Sequence, residues 1–130
     1  MPARYKDWIN QAKRDLESSI NSLKGGYYEW SCFSAQQAAE KAVKSIFMRL
    51  NKDSWGHSVS YLLIELSKFL NIDRELVESA KQLDKDYIQS RYPNGFDIGS
   101  PFEYYSKKDA EKSIKNAKKI IEFCESIITQ

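Results

Sequence analysis

Residues 83–93 carry a carboxylate and a guanidinium on what should be the buried face of one helix. Asp84 and Arg91 are seven residues apart, which at about 100° per residue places them within about 20° of each other. Tyr87 flanks them on the same side. Buried charge is unfavourable unless it is paired or used. Because a helix rises about 1.5 Å per residue, the two backbones are about 10 Å apart and each side chain is expected to meet a different partner.

Two interpretations of this pair follow from the residues alone. In the functional one, a polar groove holds an anionic ligand and Arg91 is the two-pronged phosphate donor. In the structural one, Arg91 caps its own helix or pairs with another, and Asp84 holds a tyrosine. Interior ion networks are common in helical bundles, so the residues by themselves favour the structural interpretation.

His57 is the single histidine, in the loop sequence Trp-Gly-His-Ser at 55–58. It supplies an imidazole to Arg91 if the fold or a dimer mate brings the two together. Otherwise it is a helix-entry residue whose ring bonds to backbone, and this is the more common use of a lone histidine.

A row of lysines follows the exposed face of the last predicted helix, and its members are Lys108, Lys112, Lys115 and Lys119. Such a ridge can contact phosphates, but an ordinary solvated helix face has the same pattern. The formal net charge is only +2, from 20 basic and 18 acidic residues, so attraction to nucleic acid must come from a local patch.

Apolar residues recur at helical spacing almost throughout, and no period of two is sustained. The pattern predicts helices near 4–24, 27–50, 58–70 and 74–91, then a last helix that starts at a capping box formed by Ser106 and Asp109. Asp73 is a candidate cap, and Pro93 should end the fourth helix at Tyr92. The predicted fold is all-α: an up-and-down antiparallel four-helix bundle with one extra short helix.

The 130 residues fit a single domain, 1–130. The sequence shows no signal-peptide core and no membrane span, so we expect a cytoplasmic protein in which Cys32 and Cys124 are free and buried. One histidine and two distant cysteines make no metal site, and with no phosphate-cradling glycine loop we expect no cofactor.

Three stretches together resemble the HEPN family, the higher-eukaryote and prokaryote nucleotide-binding domain. They are residues 30–44 (WSCFSAQQAAEKAVK), Gly56-His57 before a leucine-rich short helix, and the fourth helix with its Arg-Tyr-Pro end at 91–93. The resemblance covers nearly the whole chain and is closest to small stand-alone members. It implies a helical bundle, usually dimeric, that works on RNA or nucleotides.

Many members of that family are ribonucleases, often toxins paired with a small nucleotidyltransferase. Their motif is an arginine followed after four to six residues by a histidine. Arg91 matches the arginine, but the next positions are Phe96, Asp97 and Ile98. RNA cleavage without metal needs one group to move a proton and another to steady the phosphate. A carboxylate at Asp97 ordinarily stays ionised near neutral pH and shuttles protons poorly.

The leading hypothesis is therefore a dimeric module that binds a nucleotide or an RNA end, or that acts as the partner of a nucleotidyltransferase. Arg91 meets the phosphate, Asp84 and Tyr87 orient it, and Asp97 is a weaker member. The alternatives are a metal-independent ribonuclease that uses Arg91 with His57 or Asp97, and a purely structural bundle. The expected dimer interface consists of the aromatic residues Trp30, Phe33, Phe47 and Phe123.

Overall fold

A computed structural model describes residues 4–129 of the chain, and in this part the regular structure is helical. The helices are α1 (Arg4–Lys24), α2 (Tyr28–Arg49), α3 (Val59–Leu66), α4 (Arg74–Asp84), α5 (Asp86–Gln89) and α6 (Lys107–Ile128). Two single 3₁₀ turns, Pro93–Gly95 and Pro101–Glu103, lie between α5 and α6. The predicted all-α bundle is confirmed.

Helix α2 is the centre of the bundle, since it packs against α1, α6 and α3 and also contacts α4 and α5. Its small residues make this possible, because a side chain no larger than a methyl group lets neighbouring helices approach closely. The alanines at 35, 38, 39 and 42 are fully buried. The same helix carries two buried polar residues, Gln36 and Glu40, which become important below.

Three predicted boundaries differ from the structure in detail. Helix α3 ends at Leu66, and residues 67–70 continue as hydrogen-bonded turns. The predicted helix over 74–91 is interrupted at Lys85, which separates α4 from α5. Asp73 occupies the cap position of α4, although its side chain makes no capping hydrogen bond. The capping box of Ser106 and Asp109 and the extended backbone at Tyr92 before Pro93 are both confirmed.

A buried carboxylate joins α5 to α6. Asp86 is 8% exposed and accepts hydrogen bonds from the Ser113 hydroxyl, at 2.9 Å, and from the Tyr105 hydroxyl, at 3.2 Å. Burial raises the pKa of Asp86 to about 6, although both hydrogen bonds lower it. The folded protein therefore holds a proton on this carboxyl more tightly than the unfolded chain, in which the ordinary pKa is about 4.

This pKa difference makes stability depend on pH. Neutral Asp86 contributes fully to the free energy of unfolding below about pH 4, and this contribution is lost as the pH rises through about 6. The loss amounts to roughly 2–3 kcal/mol. We expect Asp86→Asn to raise the free energy of unfolding relative to wild type at about pH 8 and to have no such advantage near pH 4. Urea denaturation across this range measures the difference. Asp53→Asn, at an exposed loop position, is the control, and a gain from Asp86→Asn that does not vary with pH would contradict the assignment.

Candidate functional site

Arg91 follows the end of α5 and is surrounded by aromatic rings. Its guanidinium carbon lies 4.3 Å from the ring centroid of Phe33, 4.7 Å from that of Tyr87 and 5.0 Å from that of Tyr92. Its Nε donates a hydrogen bond of 2.8 Å to the carbonyl of Tyr87. This is the helix-capping contact of the structural interpretation, but it uses only Nε. Among residues 4–129, the side chain forms no ion pair with a carboxylate.

His57 reaches the same place from the loop before α3. Its imidazole stacks on the ring of Tyr87, with centroids 4.4 Å apart and planes inclined by 15°. The Arg91 guanidinium contacts that ring as well, so the His57 ring centre and the Arg91 guanidinium carbon are at most about 9 Å apart. The fold of one chain thus brings together the two residues that the sequence could relate only conditionally.

A buried carboxylate on α2 holds the imidazole. Glu40 is 5% exposed, and its two carboxylate oxygens lie 3.1 and 3.3 Å from Nδ1 of His57. The ammonium of Lys44, one turn further along α2, lies 3.2 Å from the same carboxylate. The side-chain amide of Gln36 donates to the carbonyl of His57 at 2.9 Å, so both the ring and the backbone of this residue are tied to α2.

These contacts determine which nitrogen of the ring is a proton acceptor. An ionised carboxylate can only accept hydrogen bonds, so Nδ1 must donate to Glu40. In the neutral imidazole the lone pair is then on Nε2. The His57 side chain is 53% exposed, and Nε2 has no hydrogen-bond partner among residues 4–129. The arrangement is that of a general base oriented by a carboxylate, with a guanidinium nearby to neutralise negative charge.

Asp84 has a different location from the one suggested by its shared face with Arg91. Its carboxylate lies at the start of α3, where it accepts hydrogen bonds from the backbone N–H groups of Val59 and Ser60 and from the hydroxyls of Ser58 and Ser60. These backbone groups have no partner within α3, and a negative charge suits a helix N-terminus. Asp84 therefore fixes α3 and the adjacent His57 loop to α4.

Of the other predicted site residues, Tyr87 is central, because its ring contacts both the His57 imidazole and the Arg91 guanidinium. Asp97 is exposed in the loop after the first 3₁₀ turn and forms no ion pair or side-chain hydrogen bond within the described part of the chain. The sequence interpretation did not include Glu40 or Lys44 among the site residues. A carboxylate four residues before a lysine on the alanine-rich second helix was the signal that could have identified them.

Cys32 and Cys124 are buried and unpaired, as predicted. Burial raises the pKa of the Cys32 thiol to about 12 and that of Cys124 further still. Within residues 4–129, no cluster of three or more His, Cys, Asp or Glu residues is arranged to hold a metal ion. None of the helices described is both long enough and apolar enough to cross a membrane.

Comparison with known proteins identifies the family. Residues 5–127 match the model of the HEPN domain, and the chain belongs to this family. It is similar to TT1696 of Thermus thermophilus, with 40% identity, a TM-score of 0.93, and coverage of 96% of this chain and 98% of the other. It is also similar to ST0689, an archaeal HEPN homologue, with 41% identity, a TM-score of 0.83, and coverage of 98% and 99%.

A curated relative adds a functional description. MJ1304 of Methanocaldococcus jannaschii, a toxin candidate by its name, is 27% identical over an alignment of 134 residues that covers 96% of this chain and 88% of that protein. The resemblance on which the sequence interpretation depended is thus confirmed at the level of the family. The chain is a HEPN-type module with a toxin-like relative.

Proposed function

We propose that the protein binds a nucleotide or an RNA end at Arg91, with the phosphate on the guanidinium and His57 beside it. The observation that carries this proposal is the convergence of the two residues on the ring of Tyr87. Because Nε already bonds to the Tyr87 carbonyl, the outer nitrogens are the ones available to an anion. A planar guanidinium donates to a phosphate through two parallel hydrogen bonds.

The aromatic rings around Arg91 support the same proposal. Trp30 and Tyr92 are each 48% exposed, and Trp30 packs edge-on against Phe33 at a centroid distance of 6.1 Å. An exposed ring next to a phosphate donor can stack on a base, and Tyr92 is the exposed ring in contact with Arg91. In this arrangement Tyr87 orients Arg91 and His57, whereas Asp84 acts indirectly by anchoring the loop that carries His57.

A metal-independent ribonuclease is the second candidate function, and the position of His57 favours it. The family motif lacks its histidine here, but His57 places an imidazole at the site, with Nε2 as the free acceptor. In such a reaction Nε2 takes the proton of the 2′-hydroxyl, whose oxygen attacks the adjacent phosphorus and forms a 2′,3′-cyclic phosphate. The bond to the 5′-oxygen breaks, this oxygen takes a proton from water, and Arg91 stabilises the added negative charge on the phosphate. Asp97 has no comparable contacts with Arg91.

The substitution of Arg91 tests the binding proposal. We expect Arg91→Lys to weaken binding of a mononucleotide nearly as much as Arg91→Ala, by tenfold or more, because lysine keeps the charge and loses the two-point contact. Both variants should be only about 1–2 kcal/mol less stable than wild type, the value of one hydrogen bond and a partly exposed cation–π contact. Calorimetric titration and thermal melting provide the two measurements.

Arg49 is a matched control, since its guanidinium lies 5.4 Å from the ring of Tyr5, away from the site. Arg49→Lys should leave nucleotide affinity unchanged. A large drop in melting temperature together with unchanged affinity in Arg91→Ala would refute the binding proposal. Incubation of the same variants and His57→Ala with an RNA panel in the presence of chelator tests the ribonuclease. Cleavage that His57→Ala leaves intact would exclude His57 as the base.

We further propose that the protein is a two-fold symmetric homodimer. Exposed apolar side chains border the site on α2 and α5, with Trp30 at 48% and Ile88 at 47% exposure. Phe33 and Phe123 are partly buried in the monomer. Phe47 was wrongly assigned to the interface, because it is 4% exposed and belongs to the core of the monomer.

Light scattering at micromolar concentration tests the dimer. We expect twice the monomer mass for wild type and a monomer for Trp30→Glu, because a charge in the centre of an apolar interface is unfavourable. Tyr61→Glu is the control, since this ring is 57% exposed on α3. A monomeric mass for wild type would eliminate the proposal.

The toxin-like relative supports a partner as well. In a toxin–antitoxin pair, a small nucleotidyltransferase would be the second protein, and both would act in the cytoplasm. A gene for such an enzyme beside this one, and copurification of the two products, would support this assignment. Copurification that survives Trp30→Glu would place the partner away from the aromatic surface.

A further inference from the structure

The contact between α4–α5 and α6 contains four buried polar residues. Ser79, Asp86, Ser113 and Asn116 are each at most 8% exposed along this contact. Asp86 and Ser113 bond to each other, and Asn116 donates to Gln82 at 2.9 Å. The Ser79 hydroxyl forms no side-chain hydrogen bond within residues 4–129. Since no buried side-chain polar atom of these residues lacks a partner, this hydroxyl is open to solvent in the cavity that the residue lines.

Two adjoining cavities lie over this polar contact and form one groove. Their volumes are about 480 Å³ and 290 Å³, and they share Gln82, Lys112 and Asn116. Five cationic side chains line the groove, none of them in an ion pair with a carboxylate of the described residues. They are Arg74 and Lys85 on one side and Lys112, Lys115 and Lys119 on α6.

The acidic residues of the groove are mostly engaged elsewhere. Glu78 pairs with Lys81 at 3.5 Å, and Asp109 accepts hydrogen bonds from the backbone N–H and the hydroxyl of Ser106. Asp86 lies at the base of the groove and accepts hydrogen bonds from the hydroxyls of Tyr105 and Ser113. Glu75 is the remaining carboxylate along the walls. The groove therefore has five cationic side chains against four carboxylates, one of which, Asp86, is buried.

An aromatic platform stands at the α5 end of the groove. Tyr104 lines the smaller cavity, is 48% exposed, and stacks on Phe96 with centroids 4.3 Å apart and planes inclined by 10°. Gln89, which lines the same cavity, is only two residues before Arg91. A positively charged groove that ends in exposed aromatic rings is the combination by which proteins hold single-stranded nucleic acid.

We propose that the groove between α4–α5 and α6 is a binding site for the backbone of single-stranded nucleic acid. The lysines of α6 contact successive phosphates, Ser79 supplies a hydroxyl donor, and a base stacks on Tyr104. An acidic polypeptide would satisfy the cations but has no use for the aromatic platform. The site extends the proposed function to a second surface, and it does not require Arg91 to bind the strand.

Fluorescence anisotropy with a labelled single-stranded RNA at several salt concentrations tests this site. We expect the triple variant Lys112→Gln, Lys115→Gln, Lys119→Gln to weaken binding by one to two orders of magnitude near 0.1 M salt. Each lost phosphate contact should reduce the salt slope by about 0.7, so the triple variant should lower it by about 2. Tyr104→Ala should weaken binding roughly tenfold, the value of one stacked base.

The triple variant Lys6→Gln, Lys24→Gln, Lys118→Gln makes the same change in net charge at exposed lysines outside the groove and should bind as wild type does. Equal loss in the two triple variants would overturn the proposal, because the attraction would then be a property of the net charge. The proposal would also be overturned if the variant with Lys112→Gln, Lys115→Gln and Lys119→Gln lost poly-glutamate binding as strongly as RNA binding while Tyr104→Ala had no effect on RNA binding. Arg91→Ala should keep strand binding, which separates this site from the one at Arg91.

Discussion

The arrangement of the site depends on one buried carboxylate in the central helix. Glu40 is almost fully buried on α2, where an ionised group without partners would be strongly unfavourable. Lys44 and the Nδ1 proton of His57 provide its partners, so the loop before α3 is held against α2. Asp84 then caps α3 from α4, and this fixes the loop from its other side. Tyr87 on α5 and Arg91 just after it follow Asp84 along the chain, and the Tyr87 ring contacts both Arg91 and His57.

Helix α5 divides two polar regions of different character. On one side, Tyr87 and Arg91 face α2 and the His57 loop, where aromatic rings surround a single guanidinium. On the other, Asp86 faces α6 beneath a groove lined with lysines. The first region is suited to one phosphate and its base, and the second to the backbone of a strand. The short helix thus links a compact site to an extended surface.

Periodicity was sufficient to predict the long helices, because each of them buries an apolar stripe, but it did not show the break at Lys85 or the early end of α3 at Leu66. The same wheel placed Asp84 beside Arg91 but could not show that Asp84 serves the N-terminus of α3, since that contact joins residues 25 positions apart. Glu40 escaped notice for the same reason: its partner His57 lies in a loop that has no period. The lysine row of α6 could be predicted from the sequence. The groove could not, because it forms only where α4 packs beside α6.

The nuclear magnetic resonance spectrum of the single imidazole tests the central claim most directly, because His57 is the only histidine and its ring nitrogens are free of overlap. With the ring neutral, long-range ¹⁵N–¹H correlations should show the proton on Nδ1, as the hydrogen bond to Glu40 requires. Addition of a mononucleotide should shift the Nε2 resonance to saturation in wild type and leave it unchanged in Arg91→Lys. A ring protonated on Nε2, or ring resonances that do not respond to the nucleotide, would contradict a shared site of His57 and Arg91.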